Sequence, residues 1–221
     1  MTSLASDALT TPSAATEDDA TKGQIRQTNE SRILRAAEKV FARAGFGGAT
    51  MAAIATASGL PKANLHYYFG SKEVLYREVL ARILSDWLVP ANGITKDADP
   101  RTALEQYIRA KMAMTAQRPD GSKVFANEML NGAPVLKNIL NTELRPMVQD
   151  KAAVVQGWIA AGQMAPVDPT HLFFTIWAAT QTYADFDVQV CTVLGRKAMT
   201  NKDYARATEH VVSLLMRGCG L

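Results

Sequence analysis

Cysteine and histidine are scarce in this chain. Of its 221 residues, two are cysteines, Cys191 and Cys219, and three are histidines. The cysteines lack CxxC spacing, so neither a disulfide framework nor a metal site is favoured. A Ser-His-Asp order and a glycine-rich phosphate loop are missing as well, which removes the usual signatures of an enzyme. We expect no cofactor, no metal and no catalytic residues.

Long apolar runs are also absent. No window approaches the roughly 18 uninterrupted apolar residues of a membrane-spanning helix. The first 20 residues have neither the basic start nor the apolar core of a signal peptide. We therefore expect a cytoplasmic protein that has no contact with a membrane.

Charge is distributed unevenly along the chain. Residues 1–21 carry a net charge of −4, residues 22–87 carry +5 and the remainder carries +2. The first segment has almost no large apolar side chains, so burial cannot offset the entropy of ordering it, and it is predicted to be a disordered tail. The second segment, with its excess of positive charge, is suited to a polyanion such as DNA.

Beyond the tail, apolar residues recur at helical spacing, and no strand-like alternation interrupts them. Glycine and proline clusters separate the helical stretches, and Pro146 is expected to kink or divide the longest one, residues 136–159. The pattern predicts an all-α fold of about nine helices. Residues 22–75 are predicted to form a three-helix N-terminal domain, and residues 76–221 a larger helical C-terminal domain.

The N-terminal domain has the pattern of a helix-turn-helix. A first helix ends at Gly45, and Thr50 can cap a short second helix. Gly59 then permits a tight turn before a third short helix that begins at Pro61. The third helix is short enough to lie in a major groove of DNA. The alternative is that this basic helix is only the solvated face of a helical bundle.

Side chains of the third helix suit contact with DNA. Lys62 can neutralise a phosphate, and the hydroxyl of Tyr67 can donate to a phosphate oxygen. Asn64 can pair with N6 and N7 of adenine, and His66 can add a base or backbone contact. Free N–H groups at the helix starts can anchor phosphates. The candidate DNA-binding residues are Thr50, Lys62, Ala63, Asn64, His66, Tyr67 and Lys72, and Arg32 with Lys22 or Arg26 would extend the footprint.

Local sequence favours the helix-turn-helix over a plain bundle. Residues 45–50, 54–55, 58–62 and 65–73 together resemble the DNA-binding signature of the TetR family of bacterial regulators. The family usually has Ser or Thr where Pro61 stands, so a side-chain N-cap is lost there, and often Pro where Gly70 stands. A proline at the first helical position is tolerated because its missing N–H would be unpaired anyway.

The resemblance extends into the C-terminal domain. Residues 86–90, 128–134, 157–159, 165–169 and 176–186 are similar to the pyrimidine-utilisation regulators of that family. This resemblance implies a homodimer that binds palindromic operators, responds to uracil or thymine, and controls genes for pyrimidine catabolism and nitrogen supply. The alternative is a TetR-type repressor of an efflux or catabolic operon with a different small apolar effector.

One stripe of a predicted helix suits a pyrimidine. Trp177, Gln181 and Asp185 are spaced by four residues and so share a helix face. Without the resemblance, such an aromatic stripe is more simply core. With it, the amide and the carboxylate can complement the two N–H donors and two carbonyls of uracil, and Trp87 can cover a ring face. The candidate ligand-binding residues are Trp87, Phe125, Glu128, Met129, Trp177, Gln181, Tyr183 and Asp185, of which Tyr183 and Asp185 could instead cap the helix or bond across a subunit boundary.

The last two long predicted helices, residues 169–183 and 204–216, are rich in apolar side chains. Together with the TetR resemblance, they imply a four-helix interface between two subunits. A two-fold dimer would place its two DNA-reading helices about 34 to 36 Å apart, in successive major grooves of a palindrome.

Overall fold

Helices make up all the regular structure in residues 14–221, the part of the chain that the computed structural model describes, with side chains described from residue 23 on. The α-helices are α1 (Ala14–Gly48), α2 (Met51–Ser58), α3 (Lys62–Phe69), α4 (Lys72–Leu88), α5 (Pro100–Gln117), α6 (Pro119–Leu130), α7 (Lys137–Ile139), α8 (Arg145–Ala160), α9 (Pro169–Asp185), α10 (Asp187–Val193) and α11 (Asn201–Gly218). A 3-10 turn, Val89–Gly93, follows α4, and a π turn, Leu140–Leu144, joins α7 to α8. The predicted all-α fold is confirmed.

Two helices differ from the sequence expectation. Counting α7, the π turn and α8 as one continuous run leaves ten helices in the described residues, and the one beyond the predicted nine is the seven-residue α10. Helix α10 is too short for a helical spacing of apolar residues to be recognised in the sequence. Helix α1 begins at Ala14, within the predicted tail, where alanine and glutamate are good helix formers. Residues 1–13 of that tail lie outside the described residues.

The N-terminal core is formed by α1, α2, α3 and α4, with Val124 of α6 packed against them. Phe41, Ile54, Leu65 and Leu75 are buried at its centre. Each such side chain contributes roughly 1.5–3 kcal/mol when it leaves water. The hydroxyl of Thr50 accepts the N–H of Ala53 at 3.1 Å and so caps α2, as predicted. These contacts hold α2 and α3 in the helix-turn-helix arrangement.

The C-terminal core surrounds α5, which packs against both α9 and α11. Tyr107 of α5, Phe173 and Ile176 of α9, and Trp158 of α8 are buried there. The π turn ends at Leu144, two residues before Pro146, which occupies the second position of α8. A proline cannot donate the i→i−4 hydrogen bond, and the wider π turn accommodates this loss. The predicted long helix is therefore interrupted by a π turn before Pro146.

Helix α4 runs from the N-terminal core toward the C-terminal domain. Its N-terminal half contributes Leu75 and Val79 to the N-terminal core, and its C-terminal end extends toward α5 and α6. No helix in residues 14–221 is both long and apolar enough to span a membrane.

The turn between α2 and α3 generates the first prediction. Gly59 has φ +66°, and a Cβ placed there would lie 3.3 Å from Nη2 of Arg32. Gly59→Ala should therefore lower the free energy of unfolding by about 1–2 kcal/mol, the cost of a left-handed alanine. Gly47→Ala is the control, because Gly47 has no positive φ and a Cβ added there would meet open space. Urea denaturation followed by circular dichroism measures both, and equal stability of the two variants would contradict the prediction.

Candidate functional sites

Helix α3 turns its polar side chains to solvent. Leu65 is fully buried in the N-terminal core, whereas Tyr67 is 76% exposed. The exposed residues of the helix are Lys62, Ala63, His66 and Tyr67, with Asn64 half-buried beside them. Five of the seven candidate DNA-binding residues thus lie together on one short helix whose opposite side is anchored in the core.

The ends of α3 differ in how their backbone groups are satisfied. Pro61 stands at the N-cap and makes no side-chain cap, which confirms the predicted loss. The first N–H groups of α3 therefore keep the partial positive charge that attracts phosphate. At the other end, Nδ1 of His66 donates to the carbonyl oxygen of Gly70 at 2.9 Å, so one side of the imidazole is occupied in holding the turn.

Lys72 has a structural role in this fold. Its ammonium donates to the carbonyl oxygens of Phe46 at 2.8 Å and Ala49 at 3.1 Å, and it lies 4.4 Å from the centre of the Phe46 ring. These bonds tie the start of α4 to the end of α1. The sequence pattern grouped Lys72 with the DNA contacts because its position in the signature does not reveal that two distant carbonyls occupy its ammonium.

The basic residues of α1 are divided between structure and surface. Arg32 donates to the carbonyl oxygen of Ser58 at 2.9 Å and so secures the end of α2. Arg26 pairs with Glu30 at 2.8 Å on the exposed surface of α1. The side chain of Lys22 lies outside the described residues.

A cavity of about 230 Å³ lies where α4, α5, α6, α8 and α9 meet. We call it the central cavity. Its walls are mostly apolar or aromatic. The lining residues are Leu84, Trp87, Leu88, Tyr107, Lys111, Phe125, Met129, Leu140, Leu144, Met147, Trp177 and Gln181. Trp87 and Phe125 pack with ring centres 4.9 Å apart, so α4 and α6 meet through aromatic contact at this wall.

Five of the eight candidate ligand-binding residues line the central cavity. They are Trp87, Phe125, Met129, Trp177 and Gln181. Trp177 and Gln181, the first two residues of the predicted stripe on α9, thus line the cavity. Asp185, one turn further along, instead accepts a hydrogen bond from the hydroxyl of Ser122 on α6, and burial raises its pKa. Tyr183 is half-buried against the C-terminal core and does not line the cavity.

Glu128 is buried in the junction between the domains. Its carboxylate accepts the hydroxyl of Tyr76 at 3.1 Å, the N–H of Val135 at 2.6 Å and the N–H of Leu136 at 3.1 Å. Burial, together with the Glu128 carboxylate, raises the pKa of Tyr76 far above its ordinary value. Glu128 therefore ties α4 to α6 and to the turn after α6, and it is no wall of the central cavity, because its helix turns Phe125 and Met129 there instead.

Seven of the twelve residues that line the cavity were missed by sequence reasoning, and the two of them with polar groups are Tyr107 and Lys111. Both lie on the buried stripe of α5, and a lysine within an otherwise apolar stripe is the signal that could have found them. The hydroxyl of Tyr107 accepts the indole N–H of Trp177 at 2.8 Å, and burial raises its pKa to about 12. Its own proton remains available to a ligand. Burial lowers the pKa of Lys111 to about 8.

Arg118 bridges the N-terminal domain and the wall of the cavity. It lies between α5 and α6, and its guanidinium pairs with Glu38 of α1 at 2.6 Å and with Asp86 of α4. Glu38 is buried, and its carboxylate approaches so closely that a Cβ on Gly121 would lie 3.2 Å from Oε1. Because Asp86 immediately precedes the cavity residue Trp87, this bridge links the cavity to α1.

Apolar side chains remain exposed on the two long helices near the C-terminus. Phe174 of α9 is 47% exposed and Leu214 of α11 is 62% exposed.

Among the residues that the structure describes, no group of three or more His, Cys, Asp or Glu side chains is placed to hold a metal ion.

Two family models match the chain. The one described as bacterial regulatory proteins, tetR family, matches residues 33–79, and the one described as YcdC-like protein, C-terminal region, matches residues 80–221. Together they cover the helix-turn-helix, the connecting helix and the whole of the central cavity.

Among curated proteins, the chain is similar to the HTH-type transcriptional regulator RutR of Escherichia coli K12, with 41% identity over 186 residues, 84% of this chain and 88% of that protein. The HTH-type transcriptional repressor NicS of Pseudomonas putida KT2440 is 29% identical over 143 residues, 64% of this chain and 66% of that protein. Both relatives are regulators of transcription and not enzymes.

Solved structures share the fold at lower identity. A TetR-like transcriptional regulator from Rhodococcus sp. RHA1 has a TM-score of 0.61 and 21% identity, covering 86% of this chain and 94% of that one. The TetR family regulator PfmR from Thermus thermophilus has a TM-score of 0.59 and 19% identity, covering 77% of this chain and 96% of that one.

Proposed function

This chain belongs to the TetR family of bacterial regulatory proteins, and from that premise we propose that it binds palindromic operators as a homodimer and responds to a pyrimidine such as uracil or thymine. It is a ligand-responsive regulator of transcription and not an enzyme. Its proposed targets are genes for pyrimidine catabolism and nitrogen supply. Its proposed location is the cytoplasm, where those genes are accessible.

The size and chemistry of the central cavity carry the proposal. At about 230 Å³, it has room for one small ring. Gln181 offers both a donor and an acceptor, and the hydroxyl of Tyr107 and the ammonium of Lys111 offer donors. Uracil and thymine each have two carbonyl oxygens to accept such bonds and two N–H groups to donate. Trp87 and Trp177 supply aromatic faces for the ring.

Helix α4 is the proposed route from the cavity to DNA. Its end lines the cavity through Leu84, Trp87 and Leu88, and its start packs against the helix-turn-helix. A ligand that prefers one position of α4 would shift the population of that position and with it the separation of the two DNA-reading helices. The ion pairs of Arg118 would have to adjust in the same step.

The chemistry of the same cavity argues against the alternative effector, a different small apolar compound. An apolar ligand would leave the ammonium of Lys111 and the amide of Gln181 without partners, and unpaired buried polar groups cost roughly 1–3 kcal/mol each. A large apolar drug would also exceed the available space.

Two variants of α3 separate affinity from sequence recognition. Lys62→Ala should weaken binding to every DNA sequence and lower the salt slope by about 1, because it removes one phosphate contact. Asn64→Ala should relax preference at one base pair, at a cost of about 1–3 kcal/mol. Fluorescence anisotropy with a selected operator and its single-base variants measures both.

Lys202→Ala, an exposed lysine at the start of α11, is the control for charge alone and should leave DNA binding unchanged. Equal losses by the Lys62 and Asn64 variants on every operator variant would reject this division of roles.

Gln181→Ala or Trp177→Ala should abolish the response to uracil and spare DNA binding. The first removes the amide that pairs with the ring, and the second removes an aromatic wall and leaves the Tyr107 hydroxyl without its donor. Calorimetry with uracil and a DNA-release assay give the readouts. Gln189→Ala, on the exposed side of α10, is the matched control. Unchanged uracil affinity in both cavity variants would refute the proposed pocket.

The proposed dimer pairs α9 and α11 of two subunits through their exposed apolar side chains. Leu214→Glu should convert a dimer into a monomer, because a carboxylate would be buried without a partner. Leu130→Glu is the control, since Leu130 is 83% exposed at the end of α6, on another helix. Light scattering at micromolar concentration reports the mass, and a monomeric wild-type protein would contradict the proposal.

A further inference from the structure

Lys111 is a buried cation without a carboxylate bound to it. Its side chain is 3% exposed, and its Nζ lies 4.1 Å from the centre of the Trp87 ring. No oxygen atom in the described part of the chain accepts a hydrogen bond from this ammonium or forms an ion pair with it. The residue lines the central cavity together with Trp87, the ring that its ammonium contacts, so a ligand in the cavity would lie beside this cation.

The groups around Lys111 do not neutralise it. Trp87 of α4 presents a ring face, which attracts a cation but bears no charge. Tyr107 of α5 keeps its proton, because burial raises its pKa to about 12. Among the described residues, Asp185 of α9 is the carboxylate that acts on Lys111, and it is already bonded to the hydroxyl of Ser122. The cavity walls from α6, the π turn and α8 are apolar.

We propose that Lys111 makes the central cavity selective for the ionised form of a cyclic imide, with a negatively charged ring oxygen beside the ammonium. The inference rests on the proposed function, that a pyrimidine occupies this cavity. It adds that the acidity of the ring N–H determines which pyrimidine binds more tightly.

The chemistry needs no covalent step. The imide N–H loses its proton to solvent, and resonance spreads the remaining negative charge onto the two flanking carbonyl oxygens. Opposite charges attract far more strongly in a poorly solvated cavity than in water, so the ammonium favours the anion over the neutral ring. A more acidic imide gives up its proton at lower cost and should bind more tightly.

Uracil and 6-azauracil form a matched pair of ligands. They share ring size and carbonyl positions, but the additional ring nitrogen of 6-azauracil withdraws electrons and makes the imide more acidic. Calorimetry at pH 7 should give about tenfold or greater preference for 6-azauracil, since removing its more acidic ring proton costs less free energy. In Lys111→Met, which keeps a similar length without charge, the two affinities should become nearly equal.

Lys123→Met is the matched control. Lys123 pairs with Asp187 at 2.7 Å and does not line the central cavity, so its loss should leave the preference intact. The affinity of wild-type protein for 6-azauracil should also fall as the pH rises through the pKa of Lys111, about 8, because the cationic form that attracts the anion is lost.

A measurement on the wild-type protein decides the question even where Lys111→Met does not fold. Titrating uracil in two buffers of different ionisation enthalpy counts the protons exchanged on binding, and we expect release of about one proton per uracil. Uracil binding without proton release, at an affinity equal to that of 6-azauracil, would overturn the inference and leave a pyrimidine in the cavity. Failure of both compounds to bind would remove the proposed function as well.

Discussion

Leu75 and Val79 of α4 are buried against α1, while Trp87 and Leu88 at the other end of the same helix line the central cavity. One rigid element thus runs from the N-terminal core to the wall of the central cavity. Packed interiors respond to displacement by switching between discrete arrangements rather than by yielding gradually. A helix that is packed in the N-terminal core and also lines the cavity is therefore the element through which occupancy of the cavity can affect the helix-turn-helix.

Two buried carboxylates, Glu38 of α1 and Glu128 of α6, hold α4 in register. Glu38 of α1 and Asp86 of α4 share the guanidinium of Arg118, and Glu128 of α6 accepts from Tyr76 of α4. Such bonds are directional, and removing one partner would strand a desolvated charge. They define where α4 lies relative to both domains more closely than apolar contacts alone, which allow neighbouring helices to slide.

The central cavity differs from the rest of the described structure in how its buried polar groups are bonded. In the described residues the buried polar side-chain groups are otherwise hydrogen-bonded, apart from the indole N–H of Trp158, but the ammonium of Lys111 has an aromatic ring beside it and no hydrogen-bonded partner. A charge left in that condition destabilises the empty protein and favours any ligand that completes its bonding. The same trade between stability and function is common at binding sites, because an environment prepared for a ligand is strained without one.

Much of this protein follows from local sequence. Helical spacing, the caps of Thr50 and Gly59, and the alignment of Trp177 with Gln181 depend on residues a few positions apart, where backbone geometry alone decides which side chains share a face. The roles of Lys72, Lys111 and Glu128 could not be read in this way. Each depends on groups brought together from distant helices, and burial and bonding partners exist only after the helices pack, so tertiary structure alone decided them.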